Sequence, residues 1–395
     1  MIESIKKLFT NKTFILTLWF GLSFIAALKQ DLLHIINNYK IYKFTFYNLI
    51  HQQNLFLQYP QFFEDKNHYG PVFAIVIAPF YMLPDGLAVM LWNIFNSFML
   101  YKAIMLLPIN NKKQIAIFLI CAHELMTASF SVQVNPFATS LIILSFVFIR
   151  NKQDFWAACA IALGTYIKLY GIVGLAFFFF SEHKIKFILS MVFWSIVFFV
   201  LPMAFSSPQF TVQCYKDWYK SLSDKDIENS GSTMQDISVK GMARRIFNVP
   251  ALSNIWFLGP GILLYFSSYI RFKVFKNVHF QLLILASTLI FPIIFSSSSE
   301  SPTYIIAFVG VGIWFINLHK PVTNFEWLLL IFAVVITSFS PSDLFPKYIS
   351  THITKQYALK ALPCFMIWLK IVYETWTRPF NTDDTETELK PALTV

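Results

Sequence analysis

Charge is scarce in this chain. Asp, Glu, Lys and Arg make up 13% of its 395 residues, about half of the roughly 25% carried by soluble domains. That shortfall overrules the two or three soluble domains that length alone would suggest. Cysteine is scarce too. Of Cys121, Cys159, Cys214 and Cys364, three lie in apolar runs and none forms a C-x-x-C pair. Neither a disulfide framework nor a zinc site is indicated. No small-residue cleavage site follows the apolar run 14–28, so that run reads as a retained anchor and not as a removed signal peptide. The two halves show no convincing mutual similarity, which argues against the mirrored repeats typical of transporters.

What the chain has in abundance is apolar length. Hydrophobic residues make up 56%, and Phe alone contributes 45. A bilayer core needs about 20 apolar residues per spanning helix. Candidate spans fall at 13–29, 71–83, 85–107, 115–131, 136–150, 154–167, 169–180, 184–204, 251–271, 279–297, 303–318, 323–340 and 356–374. The expected fold is an all-α, polytopic integral membrane protein with roughly 11 to 13 crossings, some broken or re-entrant. The stretch 71–107 is either one long kinked pass or a hairpin broken at Pro84.

The net charge of +10 is spread between apolar runs, the positive-inside pattern and not a nucleic-acid face. Lys6, Lys7 and Lys12 put the N-terminus inside. Residues about 30–70, 205–250, 296–303 and 341–355 then fall outside. A membrane domain over 1–375 would be followed by a polar tail, 376–395, with Asp383, Asp384, Glu386 and Glu388. That tail is expected to be disordered in the cytoplasm.

Asp31 stands directly after the first apolar run, poorly placed for packing and well placed for chemistry at the membrane surface. After it, Leu32, Ile35, Ile36 and Tyr39 form one apolar stripe, and Lys43, Phe46, Tyr47 and Ile50 a second. Two short amphipathic helices on the outer interface are the natural reading, holding Asp31 rigidly. In the large outer segment, Lys240, Arg244 and Arg245 run against the positive-inside rule, and Lys240 and Arg244 share a face if the segment is helical. His123 and Glu124 lie within an apolar run, where ionisable groups are functional suspects; a structural hydrogen bond is the plain alternative. No further ligand at suitable spacing makes that pair a metal site.

The order of several short motifs resembles the GT-C polyprenol-phosphate-sugar glycosyltransferases, and more narrowly glycosyltransferase family 87. The quoted segments are Asp31 with Tyr39; Tyr69-Gly-Pro-Val followed by Pro79-Phe-Tyr-Met-Leu-Pro; Leu91-Trp-Asn-Ile-Phe-Asn; Val132-Gln-Val-Asn-Pro; and Lys168-Leu-Tyr-Gly, where the family tends to read K-x-Y-P. Gln235-Asp-Ile-Ser-Val-Lys-Gly-Met-Ala-Arg-Arg resembles N-Q-S-x-x-G-x-x-x-R. The likeness covers about 15–320. It departs where the family places histidines after a serine-rich turn. Here Ser296–Ser299 leads to Glu300, Ser301, Pro302, Thr303 and Tyr304, with Glu300 or Tyr304 to fill the space.

The resemblance implies inverting, metal-independent transfer of a hexose, by default mannose, from a polyprenyl-phosphate donor to a glycan or lipid acceptor. The site would face outward from a cytoplasmic membrane, with membrane lipids as neighbours and no nucleic-acid partner. No cofactor is expected, because the lipid-linked sugar is itself the substrate. No Gly-rich nucleotide loop is present. Asp31 is the implied general base. Lys168, Lys240, Arg244 and Arg245 would stabilise the phosphate. Tyr69, Gln133, Asn135, Gln235, Ser238, Glu300 and Tyr304 complete the expected substrate-binding set. A transporter or lipid flippase is the competing class. Unequal outer loops favour the one-sided site of an enzyme.

Overall fold

The computed structural model describes residues 11–229, 232, 234–250, 252–343 and 345–380. Lys6, Lys7 and the acidic residues beyond 380 lie outside the described residues. Every regular element among the described residues is helical. In chain order, α1 is Lys12–Leu32, α2 Asn37–Ile50, α3 Pro71–Tyr81, α4 Asp85–Met105, α5 Asn111–Phe130, α6 Asn135–Arg150 and α7 Asp154–Ile167. A 3-10 helix, Leu169–Phe180, precedes α8, Lys184–Val200. Then come α9 Pro208–Asn229, α10 Val239–Ile246, α11 Ile255–Ser267, α12 Val278–Ile294, α13 Tyr304–Ile316, α14 Asn324–Phe332 and α15 Ala361–Thr377.

Local chemistry sets the boundaries that matter for the site. Pro71 opens α3 behind an extended Gly70, the helix position where a missing N–H costs nothing. Pro84 disfavours helical geometry at Leu83. The stretch 71–107 is accordingly broken there into α3 and α4. The region after the first apolar run differs from expectation. α1 continues through Asp31 to Leu32, and His34 then takes a left-handed backbone (φ 56°). One helix, α2, follows instead of two short ones. The first stripe was not a single face: Leu32 and Ile35 are exposed, whereas Ile36 and Tyr39 are buried.

The chain forms two compact units. The first comprises Thr17–Leu107 and Ala128–Lys225; the second is built from Pro108–Thr127 and the described residues from Asp226 onward, with the start of α1. In the first unit, Tyr39, Tyr42, Phe73 and Trp92 are fully buried. Tyr42 meets Phe73 edge-on at 4.9 Å and Trp92 at 5.9 Å, the arrangement aromatic quadrupoles favour. The Tyr39 hydroxyl donates to the Phe80 carbonyl (2.9 Å), and Trp92 Nε1 to the Val132 carbonyl (3.3 Å). The first bond ties α2 to α3, and the second ties α4 to the turn before α6. In the second unit, α13 is apolar on every side and almost wholly buried, as a central helix must be.

Among the described residues, three stretches, Lys12–Leu32, Asp85–Met105 and Lys184–Ala204, are long and apolar enough to cross a membrane. On α8, Ile185, Leu189, Val192, Ile196 and Val200 are all exposed. Their helical spacing makes them a continuous apolar stripe.

Candidate functional site

In the first unit, the Asp31 carboxylate rests against the first turn of α4. A Cβ added at Gly86 would lie 2.5 Å from its Oδ2 and 2.6 Å from its Oδ1. Only glycine leaves that room. The first N–H groups of a helix lack intrahelical partners and carry partial positive charge, so a carboxylate is favoured there. The neighbouring Asp85 is itself held by Lys43 at 2.7 Å. Asp31 remains partly exposed.

Four of the expected substrate-binding residues meet in one network of the same unit. Lys168 interrupts the helical chain with an extended backbone (φ −149°, ψ 122°). Its ammonium donates to Asn135 Oδ1 (2.8 Å) and stands 5.6 Å from the Tyr69 ring and 5.0 Å from that of Tyr170. The Tyr69 hydroxyl donates to Gln133 Oε1 (3.0 Å), which also receives Asn135 Nδ2 (3.5 Å). The Tyr42 hydroxyl is 3.3 Å from that of Tyr69. Gln133 and Asn135 are buried, so these bonds answer the cost of desolvating their amides.

The remaining candidates gather in the second unit, around a residue that the sequence reading passed over. Asp236 is fully buried in a left-handed backbone (φ 51°). Lys240 Nζ lies 3.6 Å and Arg244 Nε 3.5 Å from its Oδ2. The Ser238 hydroxyl donates to Asp236 Oδ1 (2.7 Å) and caps α10 by accepting the Gly241 N–H (3.0 Å). A Cβ at Gly241 would collide with the Asp236 carbonyl. Burial pushes the Asp236 carboxyl above its ordinary range, opposed by the Ser238 hydroxyl and the cations of Lys240, Arg244 and Arg245.

Two backbone bonds, Asp236 N–H to Ser297 and Ile237 N–H to Ser299, fasten this turn to the serine-rich segment. Gln235 Nε2 donates to Glu300 Oε1 (3.2 Å), and the Tyr304 hydroxyl to the Ile237 carbonyl (2.7 Å). Arg245 spends its guanidinium on the carbonyls of Ser232, Gln235 and Lys355. It is a brace for the turn. Arg244 differs: its Nε and one terminal nitrogen are buried and make no hydrogen bond within the described residues.

His123 and Glu124, suspected from the sequence, find partners that the sequence did not reveal. Lys360, buried, donates to both oxygens of the buried Glu124 (3.0 and 3.1 Å) and to the Ser301 hydroxyl (3.0 Å). His123 Nδ1 lies 3.1 Å from the Ser338 hydroxyl. In the first unit, an open cleft of about 500 Å³ lies along α9; none of the candidate residues lines it. Among the described residues, no group of three His, Cys, Asp or Glu side chains is arranged to hold a metal ion.

Membrane-length apolar helices and, within each unit, a network of buried polar side chains fit an enzyme acting beside a membrane. The comparison with known families is definite: residues 67–297 match glycosyltransferase family 87, and the chain belongs to it. The protein is therefore a glycosyltransferase. The matched region includes Tyr69, Gln133, Asn135, Lys168 and the whole turn from Gln235 to Arg245, and leaves Asp31, Glu300 and Tyr304 outside. No curated protein matches the chain.

Proposed function

We propose that the protein is a polytopic membrane enzyme that moves a hexose from a polyprenyl-phosphate donor to a glycan or lipid acceptor on the outer face of the cytoplasmic membrane. The exposed apolar stripe of α8 and the membrane-length helices support the membrane reading. The observation that carries the donor reading is Arg244. Its Nε is ion-paired with Asp236 at 3.5 Å, yet neither that nitrogen nor the buried terminal one makes a hydrogen bond within the described residues, and a buried donor left so is costly. A phosphate oxygen is the acceptor whose shape and charge suit it.

The reaction needs no cofactor. Asp31 takes the proton from the acceptor hydroxyl as that oxygen attacks the anomeric carbon. The bond from that carbon to the phosphate oxygen breaks on the opposite face, and polyprenyl phosphate leaves with the electron pair. The configuration inverts, as in other single displacements at an anomeric carbon. Lys240 and Arg244 oppose the charge gathering on the phosphate, and Lys168 contributes a further cation. Mannose is the first hexose to try, on the family resemblance.

The test uses purified protein and a panel of polyprenyl-phosphate hexoses with labelled sugars. Asp31→Asn keeps the shape and removes the base, so transfer should fall by about 10²–10⁴, the usual worth of a general base. Near-full turnover would mean that another residue takes the proton. Arg244→Ala should weaken donor use with little loss of folding; unchanged donor affinity would falsify the phosphate role.

A further inference from the structure

The first unit holds a second polar site, apart from the residues given roles above. The cleft along α9 is walled on one side by Asp217, Lys220 and Asp224, and on the other by Asn54, Gln58 and Lys66 from the link between α2 and α3. Positions 217, 220 and 224 lie on one face of the helix. Asp217 is fixed in place: Asn54 Nδ2 donates to one oxygen (2.9 Å) and Gln213 Nε2 to the other (2.8 Å). Phe56, buried, closes part of the wall.

The lining states its ligand chemistry. Two carboxylates, Asp217 and Asp224, and two ammonium groups, Lys66 and Lys220, line the cleft, so it has no excess charge to draw an anion. It instead sets hydrogen-bond acceptors and donors beside the apolar surface of Phe56 and Leu57. A ligand that satisfies both must itself donate and accept at many points without net charge. Neutral sugars do this: each hydroxyl donates to a carboxylate or amide oxygen and accepts from an ammonium or amide N–H. The volume lies within the roughly 300–1,000 Å³ usual for ligand sites.

The wall also leads to the polar network of Lys168. Trp218 of α9 donates to the His68 carbonyl (3.0 Å), and the Ser221 hydroxyl lies 2.9 Å from His68 Nδ1. Gly70 lies so close to α9 that a Cβ there would sit 2.9 Å from the Trp218 ring. Between His68 and Gly70 stands Tyr69, whose hydroxyl donates to Gln133. One short segment is thus both the back of the cleft and part of the network.

We propose that this cleft is the acceptor subsite and that the acceptor is a neutral oligosaccharide. The assignment rests on the glycosyl-transfer reading above. The experiment uses the full-length protein in lipid nanodiscs, with mannotriose, maltotriose and tri-N-acetylchitotriose as probes. Binding is read by saturation-transfer NMR, and donor consumption is followed separately with the same panel of labelled polyprenyl-phosphate hexoses. At least one trisaccharide should bind the wild type. Lys220→Ala with Asp224→Ala should weaken that binding at least tenfold; both residues are exposed, so the fold should tolerate the change. Asp217→Asn should act in the same direction. Failure of all three probes to bind the wild type, or equal binding by the double variant, overturns the assignment. Donor consumption without cleft-dependent binding removes only the subsite. Cleft-dependent binding without consumption of any hexose donor in the panel removes the donor reading and leaves a sugar site.

Discussion

Replacing Gly86 by alanine adds one methyl group where the Asp31 carboxylate now rests. The new carbon would stand 2.5 Å from Oδ2, 2.6 Å from Oδ1 and 2.7 Å from Cγ, against an ordinary contact of 3.4 Å. The carboxylate must therefore retreat by about 0.9 Å, the difference between 3.4 and 2.5 Å. It is the end of a partly exposed side chain and has somewhere to go. A misplacement of about 1 Å at a reacting group can cost roughly 100-fold in rate, or about 2.7 kcal/mol of barrier.

The fold should not suffer. No glycine among the described residues has a positive φ, so alanine at 86 meets no backbone strain. Within a helix it is favoured over glycine by about 0.5–1 kcal/mol. The expected variant is thus at least as stable as the wild type and about 100-fold slower. Steady-state kinetics with a labelled donor, beside a thermal melt, would show kcat falling, donor KM nearly constant and Tm level or raised. Combining Gly86→Ala with Asp31→Asn should add little to Asp31→Asn alone, because both act through one group. A Gly86→Ala enzyme within twofold of wild-type kcat would refute the account: Asp31 would then not need its place at α4.

Two other perturbations address the second unit. Glu124→Leu leaves the Lys360 ammonium buried and unpaired, which should cost about 3–5 kcal/mol; Glu124→Leu with Lys360→Met should recover most of it, and thermal unfolding of the two variants decides. Burial holds the Asp236 carboxyl above its ordinary 3.8, so the native state binds that proton more tightly than the unfolded chain does. The stability this lends is full below pH 3.8 and is lost as pH rises through the native value; Asp236→Asn should flatten that fall, and superimposable melting-versus-pH curves would speak against it.

Much of this was legible in sequence because it is local. Apolar runs of span length marked α1, α4 and α8, and a break at Pro84, one of the two readings open for 71–107, is the one found between α3 and α4. The order of short motifs picked out Tyr69, Gln133, Asn135 and Lys168, which share one network. It also picked out Gln235, Ser238, Lys240, Arg244 and Arg245, which share one turn. What escaped was set by tertiary contact. Nothing periodic reveals that Gly86 lies under Asp31, 55 positions away in sequence. Asp236 lay in plain view within a quoted motif, yet only its burial shows that Lys240 and Arg244 are arranged about it. Helical periodicity also carried the expected stripe from Leu32 to Tyr39 past His34, whose left-handed backbone no pattern of apolar residues announces.

The pair of Glu124 and Lys360 is the hardest case, joining residues 236 apart. A buried ion pair is weak ground for stability, since desolvation can outweigh the attraction. Its contacts suggest a different use. The Lys360 ammonium stands 5.1 Å from the Tyr304 ring and donates to Ser301. Tyr304 holds the Ile237 carbonyl, and the adjoining Glu300 holds Gln235. Those are the two residues on either side of Asp236. Fixing one ammonium therefore fixes both faces of the turn that presents Arg244. An apolar pair could fill the same volume, but it would offer Ser301 no donor and the Tyr304 ring no cation. On this argument the double variant recovers its stability and still presents a looser turn, so its melting temperature and its affinity for the donor should part company.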